Sequence, residues 1–272
     1  MKLLIDADML LFKCLTANEE EFCIHDEVWT RHCDLAVVRQ EYHYHCSRLA
    51  IHWNCREDDL IHCFTDRSAF RRELSPTYKH SRKSKPKPIG YKPMKDELLQ
   101  MPNAYMHKQI EADDLIGIFA SRLLRLEEEY AVVTRDKDMN QIPGWHCWLD
   151  EEAKWVSQGE ASKFFWKQLL VGDRADDITG VPTIGDKRAD ALIADWDVTN
   201  PAECWKHAVK LFAEKGKMTT AQAEATAVET ARLIYILREQ DYNFKTGEVT
   251  LWKPPAPKQR RKSLASGSMM MS

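Results

Sequence analysis

The chain of 272 residues has no uninterrupted apolar run near the roughly 20 residues a membrane-spanning helix needs. Its opening, MKLLIDADMLLF, carries the Lys2 and leucines of an export signal, but Asp6 and Asp8 cut the run and no small-residue cleavage site follows. It is therefore expected to be a mature N-terminus. The 8 cysteines form no CxxC pair and no framework spacing, so they read as reduced thiols of a cytoplasmic protein. There is no internal repeat and no excess of one charge: Lys+Arg 39 against Asp+Glu 42 leaves −3, a total that selects no partner. What the chain has is 44% hydrophobic and 10% aromatic residues, too apolar for disorder and sufficient for a sizeable core. Its length fits one to two domains.

Residues 2–5 (KLLI), 59–65 (DLIHCFT) and 130–134 (YAVVT) are short apolar runs of strand length, each leading into an aspartate. Between the first two, Leu35, Val38, Tyr42, Cys46, Leu49 and Trp53 recur every three or four residues, which predicts a helix with one buried face. Leu115, Ile116, Phe119 and Leu123 predict a second helix from about Glu111 to Glu129. Strands alternating with helices predict an α/β fold with a parallel sheet. After Val156 the pattern turns helical, with one helix closed by Trp166, Leu169 and Leu170 and others around 201–214 and 219–238. The expected division is an α/β core over 1–156, a helical region over 157–252 and a basic disordered tail over 253–272. Trp145 and Trp148 are expected beside an edge strand, and most of the nine tryptophans in the core.

In open α/β sheets, ligands bind beyond the carboxyl ends of the strands. Asp6, Asp66 and Asp136 stand at three predicted strand ends, which brings carboxylates from distant positions to one rim. The segment IEADDLIG (110–117) adds Glu111, Asp113 and Asp114 at a helix start, where the dipole favours negative charge and Glu111 and Asp114 share a face. Asp138, Asp173 and Asp176 complete the set. Each alone has an ordinary explanation as a helix-start charge or cap. Together they would repel unless cations neutralise them, and carboxylates without His or Cys select hard ions such as Mg²⁺ or Mn²⁺. Paired ions of this kind serve phosphodiester hydrolysis.

Residues 71–95, RRELSPTYKHSRKSKPKPIGYKPMK, carry nine Lys/Arg against the single acid Glu73, with prolines at 76, 86, 88 and 93. Read alone, this insertion could be a solvated loop. Beside an anionic rim it suits a polyanionic substrate, with Tyr78 and Tyr91 available to stack on bases. GVPTIG (180–185), ahead of a helix around Ala189–Ala194, offers backbone N–H groups to a phosphate, followed by Lys187 and Arg188.

Six blocks, IDADMLLF, FTD, ELSPTYKHSRK, IEADDLIG, TRDKDMNQIP and GDRADDITGVPTIGDKRA, together with ILREQDYNFKTGEVTLWKP (236–254), resemble the flap endonuclease/5′-to-3′ exonuclease superfamily. Within it they are most similar to the 5′-to-3′ exonucleases of short-tailed lytic phages. The blocks occur in family order and span most of the chain. The resemblance implies a central, mostly parallel sheet flanked by helices, of the PIN-like kind. It implies one metal cluster of Asp6, Asp66, Glu111, Asp113 and Asp114 and a second of Asp136, Asp138, Asp173 and Asp176, holding two Mg²⁺ with Mn²⁺ as substitute. The insertion at 71–95 would be an arch over the active site, with Tyr78, Lys79 and Arg82 facing substrate and Arg71, Arg72 and Lys83 contacting DNA. Residues 172–195 would be a helix–two-turn–helix element that grips duplex backbone through Gly180, Val181, Ile184, Gly185, Lys187 and Arg188, with a bound K⁺. Thr183 replaces a usual glycine there and weakens the K⁺ expectation. Asp177 replaces a usual asparagine and could add a carboxylate to the rim; Asp8 is expected near the site but not as a ligand.

The implied activity is Mg²⁺-dependent 5′-to-3′ hydrolysis of duplex DNA and of RNA in RNA–DNA hybrids, by a monomer serving phage replication and recombination in the host cytoplasm beside replication proteins. Preference for 5′ flaps is the alternative. A haloacid-dehalogenase-type phosphatase would explain Asp6 and Asp8, but Leu10 stands where its motif has Thr or Val, and neither 71–95 nor GVPTIG is explained. A non-catalytic nucleic-acid-binding protein would not need nine rim carboxylates. Cys23, His25, His32, Cys33, His43, His45 and Cys46 match no common zinc spacing, and a packing or solvent role is expected for them.

Overall fold

The computed structural model describes residues 1–84 and 86–256, the side chains of Lys83 and Ser84 excepted. The expected arch residue Lys85 and most of the expected tail, 257–272, lie outside the described residues. In chain order the first half comprises β1 (Lys2–Asp6), α1 (Ala7–Ala17), β2 (Glu19–His25), β3 (Val28–Cys33), α2 (Leu35–His52), β4 (Leu60–Phe64), α3 (Arg71–Leu74), α4 (Tyr91–Leu98), β5 (Ala104–Met106), α5 (Ala112–Arg125), β6 (Tyr130–Val133), β7 (Gly144–Cys147) and β8 (Lys154–Val156). The second half is α6 (Gln158–Val171), β9 (Gly172–Asp173), β10 (Ile178–Thr179), α7 (Asp186–Ile193), α8 (Pro201–Gly216) and α9 (Thr220–Ile234), with a short pairing of β11 (Tyr242–Asn243) and β12 (Glu248–Val249).

Leu3, Leu4 and Ile5 are completely buried, as a parallel strand covered on both faces requires. The sheet runs β5-β4-β1-β6-β7-β8, parallel throughout except for the antiparallel edge strand β8. The chain moves outward from β1 through β4 to β5, then returns through α5 to β6 on the other side of β1. The carboxyl ends of β1 and β6 therefore flank a topological switch point, where the fold opens a crevice. One core lies on the α1–α2 side of the sheet around Leu10, Tyr42 and Phe64; another lies under α5 around Leu115, Ile116 and Val132. A third core, around Trp166, Leu169, Trp205 and Phe212, joins α6 to α9 and also takes in Tyr78 from the basic insertion.

The hairpin β2–β3 has no counterpart in the sequence expectations. Its residues are exposed on both faces except near the base, with Phe22, Ile24, Val28 and Trp29 among them, so no apolar alternation marked it. Cys23, His25 and His32 belong to this exposed hairpin. Helix α5 ends at Arg125 and α9 at Ile234, earlier than the expected Glu129 and 238. The second shortfall matters, because residues 235–238 leave the helix to lie on α5. There a Cβ on Gly117 would stand 2.4 Å from the Leu237 carbonyl oxygen, so only glycine permits the contact. The edge strand next to Trp145 is β8, where Trp155 meets Trp145 with ring centroids 5.3 Å apart.

His62 on β4 is 3% exposed and hydrogen-bonds the Tyr42 hydroxyl through Nδ1 at 2.8 Å. Burial, with His43 nearby, pushes its pKa down to about 4. The unfolded chain, with an ordinary histidine, thus binds the proton first as pH falls, so stability is complete above about 6.5 and is lost progressively down to about 4. In urea unfolding with the metal-chelating buffer held constant, His62→Gln is expected to flatten the decline between pH 6.5 and 4; an unchanged slope would assign it to other groups.

Candidate active site

Asp6 ends β1 and caps α1, its Oδ1 accepting the Met9 N–H at 3.0 Å while the Thr134 hydroxyl approaches Oδ2 at 3.2 Å. Asp136 follows β6 and accepts the Asp138 N–H at 2.9 Å, so the turn after the strand aims both aspartates at one place. Asp173 ends β9, accepts the Ala175 N–H at 2.8 Å and lies 3.2 Å from Lys137. The structure brings together Asp6, Glu111, Asp113, Asp136, Asp138, Asp173 and Asp176, close enough that the charges of Asp136, Glu111 and Asp173 act on the other four. Burial, then Asp8 and Asp136, pushes Asp6 up to about 7. Burial with Asp136 and Asp6 raises Asp113 well above the carboxylate range. Asp138 is pushed up to about 7 by burial, Asp136 and Asp173, and burial also raises Asp176.

Two residues expected in this group stand elsewhere. Asp114 is fully buried and holds Arg71 through two bonds of 2.6 and 2.8 Å, while accepting the backbone N–H groups of Glu111 and Leu237 at 3.1 and 3.2 Å. The Glu111-x-x-Asp114 spacing is that of a capping box, a signal in the sequence that this carboxylate turns back on its own helix. Asp66 accepts the Gln109 N–H at 2.9 Å and bonds Ser68, closing the turn after β4.

Arg71 corrects a further expectation. It is 3% exposed and cannot contact DNA; besides Asp114 it donates to Glu111 at 3.3 Å and to the carbonyls of Leu233 and Tyr235 at 2.8 and 2.7 Å. The base of the basic insertion, the acidic helix and the segment after α9 thus meet on one guanidinium. Arg72 is exposed. Tyr78 and Tyr91 are both buried and so cannot stack on bases: Tyr78 donates to Glu111 at 2.7 Å and Tyr91 to Asp8 at 2.5 Å. Asp8 also accepts Lys95 at 2.9 Å and the Thr65 N–H at 2.7 Å, tying α4 to the end of β4.

Lys79 Nζ stands 2.6 Å from Glu111 and 3.6 Å from Asp176, between carboxylates contributed by α5 and by the turn after β9. Burial alone would raise Glu111; Lys79 and Arg71 beside it, with bonds from Lys79 and Tyr78, bring it down to about 2. Arg82 pairs with Asp176. The segment carrying these cations is a turn with Lys79 at φ 53°, followed by one 3₁₀ turn at Ser81–Ser84. Asp177 does not join the carboxylates; it accepts the Ser81 N–H at 2.8 Å. Lys87 Nζ lies 3.7 Å from the centre of the Tyr91 ring.

In the 172–195 element, Val181 and Ile184 are buried in the helical core, while Pro182, Thr183, Gly185, Lys187 and Arg188 are exposed. A Cβ on Gly180 would meet the Val171 backbone at 2.3 Å, so glycine is required by this close approach. Thr183 adopts φ 66°, a left-handed conformation costly for a β-branched residue. A separate trio on α1 and α2, Cys14, Glu41 and His45, brings its ligand atoms within 4.8 Å of one another, but Lys13 and Asn18 hold Glu41 at 2.7 and 2.5 Å.

The donor set fits hard divalent cations. It is all oxygen, several carboxylates keep protons to higher pH because they are buried and their neighbours repel, and Asp138 Oδ1 is a buried oxygen without a hydrogen-bond partner among the described residues. A mostly parallel sheet with a group of carboxylates at its switch point is an arrangement in which hydrolases of phosphate esters hold metal ions. Comparison with known proteins narrows this. The profile of the 5′-3′ exonuclease, N-terminal resolvase-like domain, matches residues 2–163. The chain is 28% identical over 287 aligned positions to the exonuclease of Escherichia phage T7, covering 93% of each, and 29% identical to the flap endonuclease Xni of Shewanella baltica strain OS185, covering 64% and 68%. A structure of T5 5′-exonuclease with bound divalent zinc shares the fold at TM-score 0.60 and 16% identity, over 86% of this chain and 88% of that one. The chain belongs to the 5′-3′ exonuclease family and is a nuclease.

Arg71→Met would leave Asp114 buried without its partner, a change expected to cost about 3–5 kcal/mol in urea unfolding. Arg72→Ala, at the exposed neighbour, is expected within ~0.5 kcal/mol of the parent, and Arg71→Met with Asp114→Leu should recover part of the loss. Equal, small effects at positions 71 and 72 would show that the buried pair is not holding the site together.

Proposed function

We propose that the protein is a Mg²⁺-dependent 5′-to-3′ exodeoxyribonuclease acting on duplex DNA, which also removes RNA from RNA–DNA hybrids during phage replication and recombination. The observation that carries this is the convergence of seven carboxylates from both halves of the chain, with an unpartnered buried oxygen on Asp138. In this reading Asp6, Glu111, Asp113 and Asp136 hold one divalent ion and Asp138, Asp173 and Asp176 the other, while Asp66 stays on Gln109 and Ser68 in the turn after β4. Ions bound there would activate a water for in-line attack and stabilise the leaving 3′-oxygen. Lys79, between Glu111 and Asp176, and Arg82, beside Asp176, are placed to offset phosphate charge at the reacting bond. Tyr78 fixes Glu111. Exposed Arg72, Lys187 and Arg188, with the backbone of the Gly180–Gly185 turn, supply contacts to the DNA backbone away from the cut. A K⁺ at that turn would have to accept the strained Thr183 conformation.

Duplexes labelled at the 5′ or the 3′ end, digested with Mg²⁺ or EDTA, test the reading. Short labelled products from 5′-labelled ends, and none in EDTA, are expected; full activity in EDTA would overturn it. Asp113→Asn should abolish cleavage while DNA affinity holds or improves, since a negative charge near a phosphate is removed. Parallel loss of binding and cleavage would instead make Asp113 a structural residue.

Lys79→Ala and Arg82→Ala are expected to lower the single-turnover rate at saturating enzyme by roughly 10²–10³-fold, the scale of one preorganised donor. Lys87→Ala, whose cation rests on the Tyr91 ring, should change mainly affinity. Equal, small and salt-suppressible effects at all three would reduce the segment to an electrostatic funnel.

A further inference from the structure

Asp177 is a carboxylate beside the acidic group that takes no part in it. It has φ 58° and ψ 33°, a left-handed turn that separates its side chain from that of Asp176. Its Oδ2 instead accepts the backbone N–H of Ser81 at 2.8 Å, 96 residues away in sequence, and the Ser81 hydroxyl and His80 backbone also bond its carboxylate. Around this bond the basic insertion and the 174–177 loop lie against each other through main-chain groups. The Lys79 N–H donates to the Asp176 carbonyl at 3.0 Å, and Arg82 Nε donates to the Ala175 carbonyl at 3.2 Å. Lys79 itself sits at φ 53°, a conformation that needs its surroundings to hold it. Of the side chains in this loop, Asp177 is the one that grips the insertion's backbone between the two cations, Lys79 and Arg82.

We propose that Asp177 is a positioning residue: its carboxylate clasps the Ser81 backbone and so sets where Lys79 and Arg82 stand over the carboxylates. This rests on the nuclease reading for the role of those two cations. The bond is partly open to water, so its loss costs little overall stability. Its effect is on placement, and small misplacement of a charged group at a reacting centre can cost up to about 100-fold in rate.

Three variants separate the possibilities. Asp177→Gly removes the acceptor and tolerates the left-handed backbone. Asp177→Asn keeps an acceptor oxygen and removes the charge. Ser81→Pro removes the donor from the opposite side, at the first residue of a 3₁₀ turn. The readouts are hydrogen exchange of the amides over 78–84, the single-turnover rate on a 5′-labelled duplex with Mg²⁺ at saturating enzyme, and DNA affinity in EDTA. Asp177→Gly is expected to speed exchange over 78–84 and slow the single turnover by about 10- to 100-fold, with affinity within about twofold. Ser81→Pro, which removes both the N–H and the hydroxyl that bond Asp177, should do the same, and the double variant should be no worse than either, as two sides of one contact require. Asp177→Asn should retain the parent's exchange and, within about threefold, its rate. The proposal is overturned if Asp177→Gly leaves exchange and rate unchanged, if Asp177→Asn falls as far as Asp177→Gly, or if affinity and rate fall together. Absence of any Mg²⁺-dependent cleavage by the parent protein would remove the nuclease reading instead, and the exchange comparison would still decide whether the clasp exists.

Discussion

Mutual repulsion among buried carboxylates is the constraint around which the rest of the molecule is arranged. Seven acids linked by neighbouring charge, with Asp6 and Asp138 pushed up to about 7 and Asp113 raised well above the carboxylate range by burial and by their neighbours, would drive a flexible chain apart. The fold resists through rigid attachments. Asp6 caps a helix, Asp136 caps the turn after β6, Asp173 caps the turn after β9, and Glu111 starts α5. Each acid is fixed by backbone that packs into a core on its other side. The arrangement spends stability on a preformed site, which is how perturbed carboxylates come to cluster where chemistry is done.

The basic insertion belongs to the same balance. Its charge could have served as a solvated funnel, but Arg71, Lys79 and Lys95, the last held by Asp8, go inward. Arg71 is consumed by Asp114 and by the carbonyls after α9, and Lys79 stands between Glu111 and Asp176. Glu111 therefore stays ionised at low pH while Asp6 and Asp138 do not, so acids of one site differ because of who stands beside them. Arg71 also couples two parts of the chain: it binds α5 to the 233–237 segment, which carries the helical region back onto the sheet. The acidic group draws on both halves in the same way, with Asp173 and Asp176 from the second and Asp6, Asp113 and Asp136 from the first.

Three central strands, β1, β4 and β6, were legible in the sequence because each is a short apolar run leading into an aspartate, the pattern a buried parallel sheet imposes, whereas β5, β7 and β8, of three or four residues, carry no such run. The acidic group was legible for the same reason. Burial of single polar residues was not. Nothing local distinguishes Arg71 from Arg72 in a helix of four residues, too short for periodicity, yet one is enclosed and the other faces water. Tyr78 and Tyr91 look like stacking aromatics beside lysines; their hydroxyls are instead claimed by Glu111 and Asp8, partners 33 and 83 residues distant in sequence. Asp114 did leave a trace in its spacing from Glu111. The β2–β3 hairpin left none, because a strand pair exposed on both faces needs no apolar alternation.

The central claim is that residues from both halves of the chain form one acidic site for two divalent ions. Anomalous diffraction from crystals of the protein soaked in Mn²⁺ tests it most directly. Two peaks are expected, one among Asp6, Glu111, Asp113 and Asp136 and one among Asp138, Asp173 and Asp176, with Asp114 still on Arg71. No peak at these carboxylates, or ions that recruit Asp114 away from Arg71 and leave Asp173 and Asp176 bare, would contradict it.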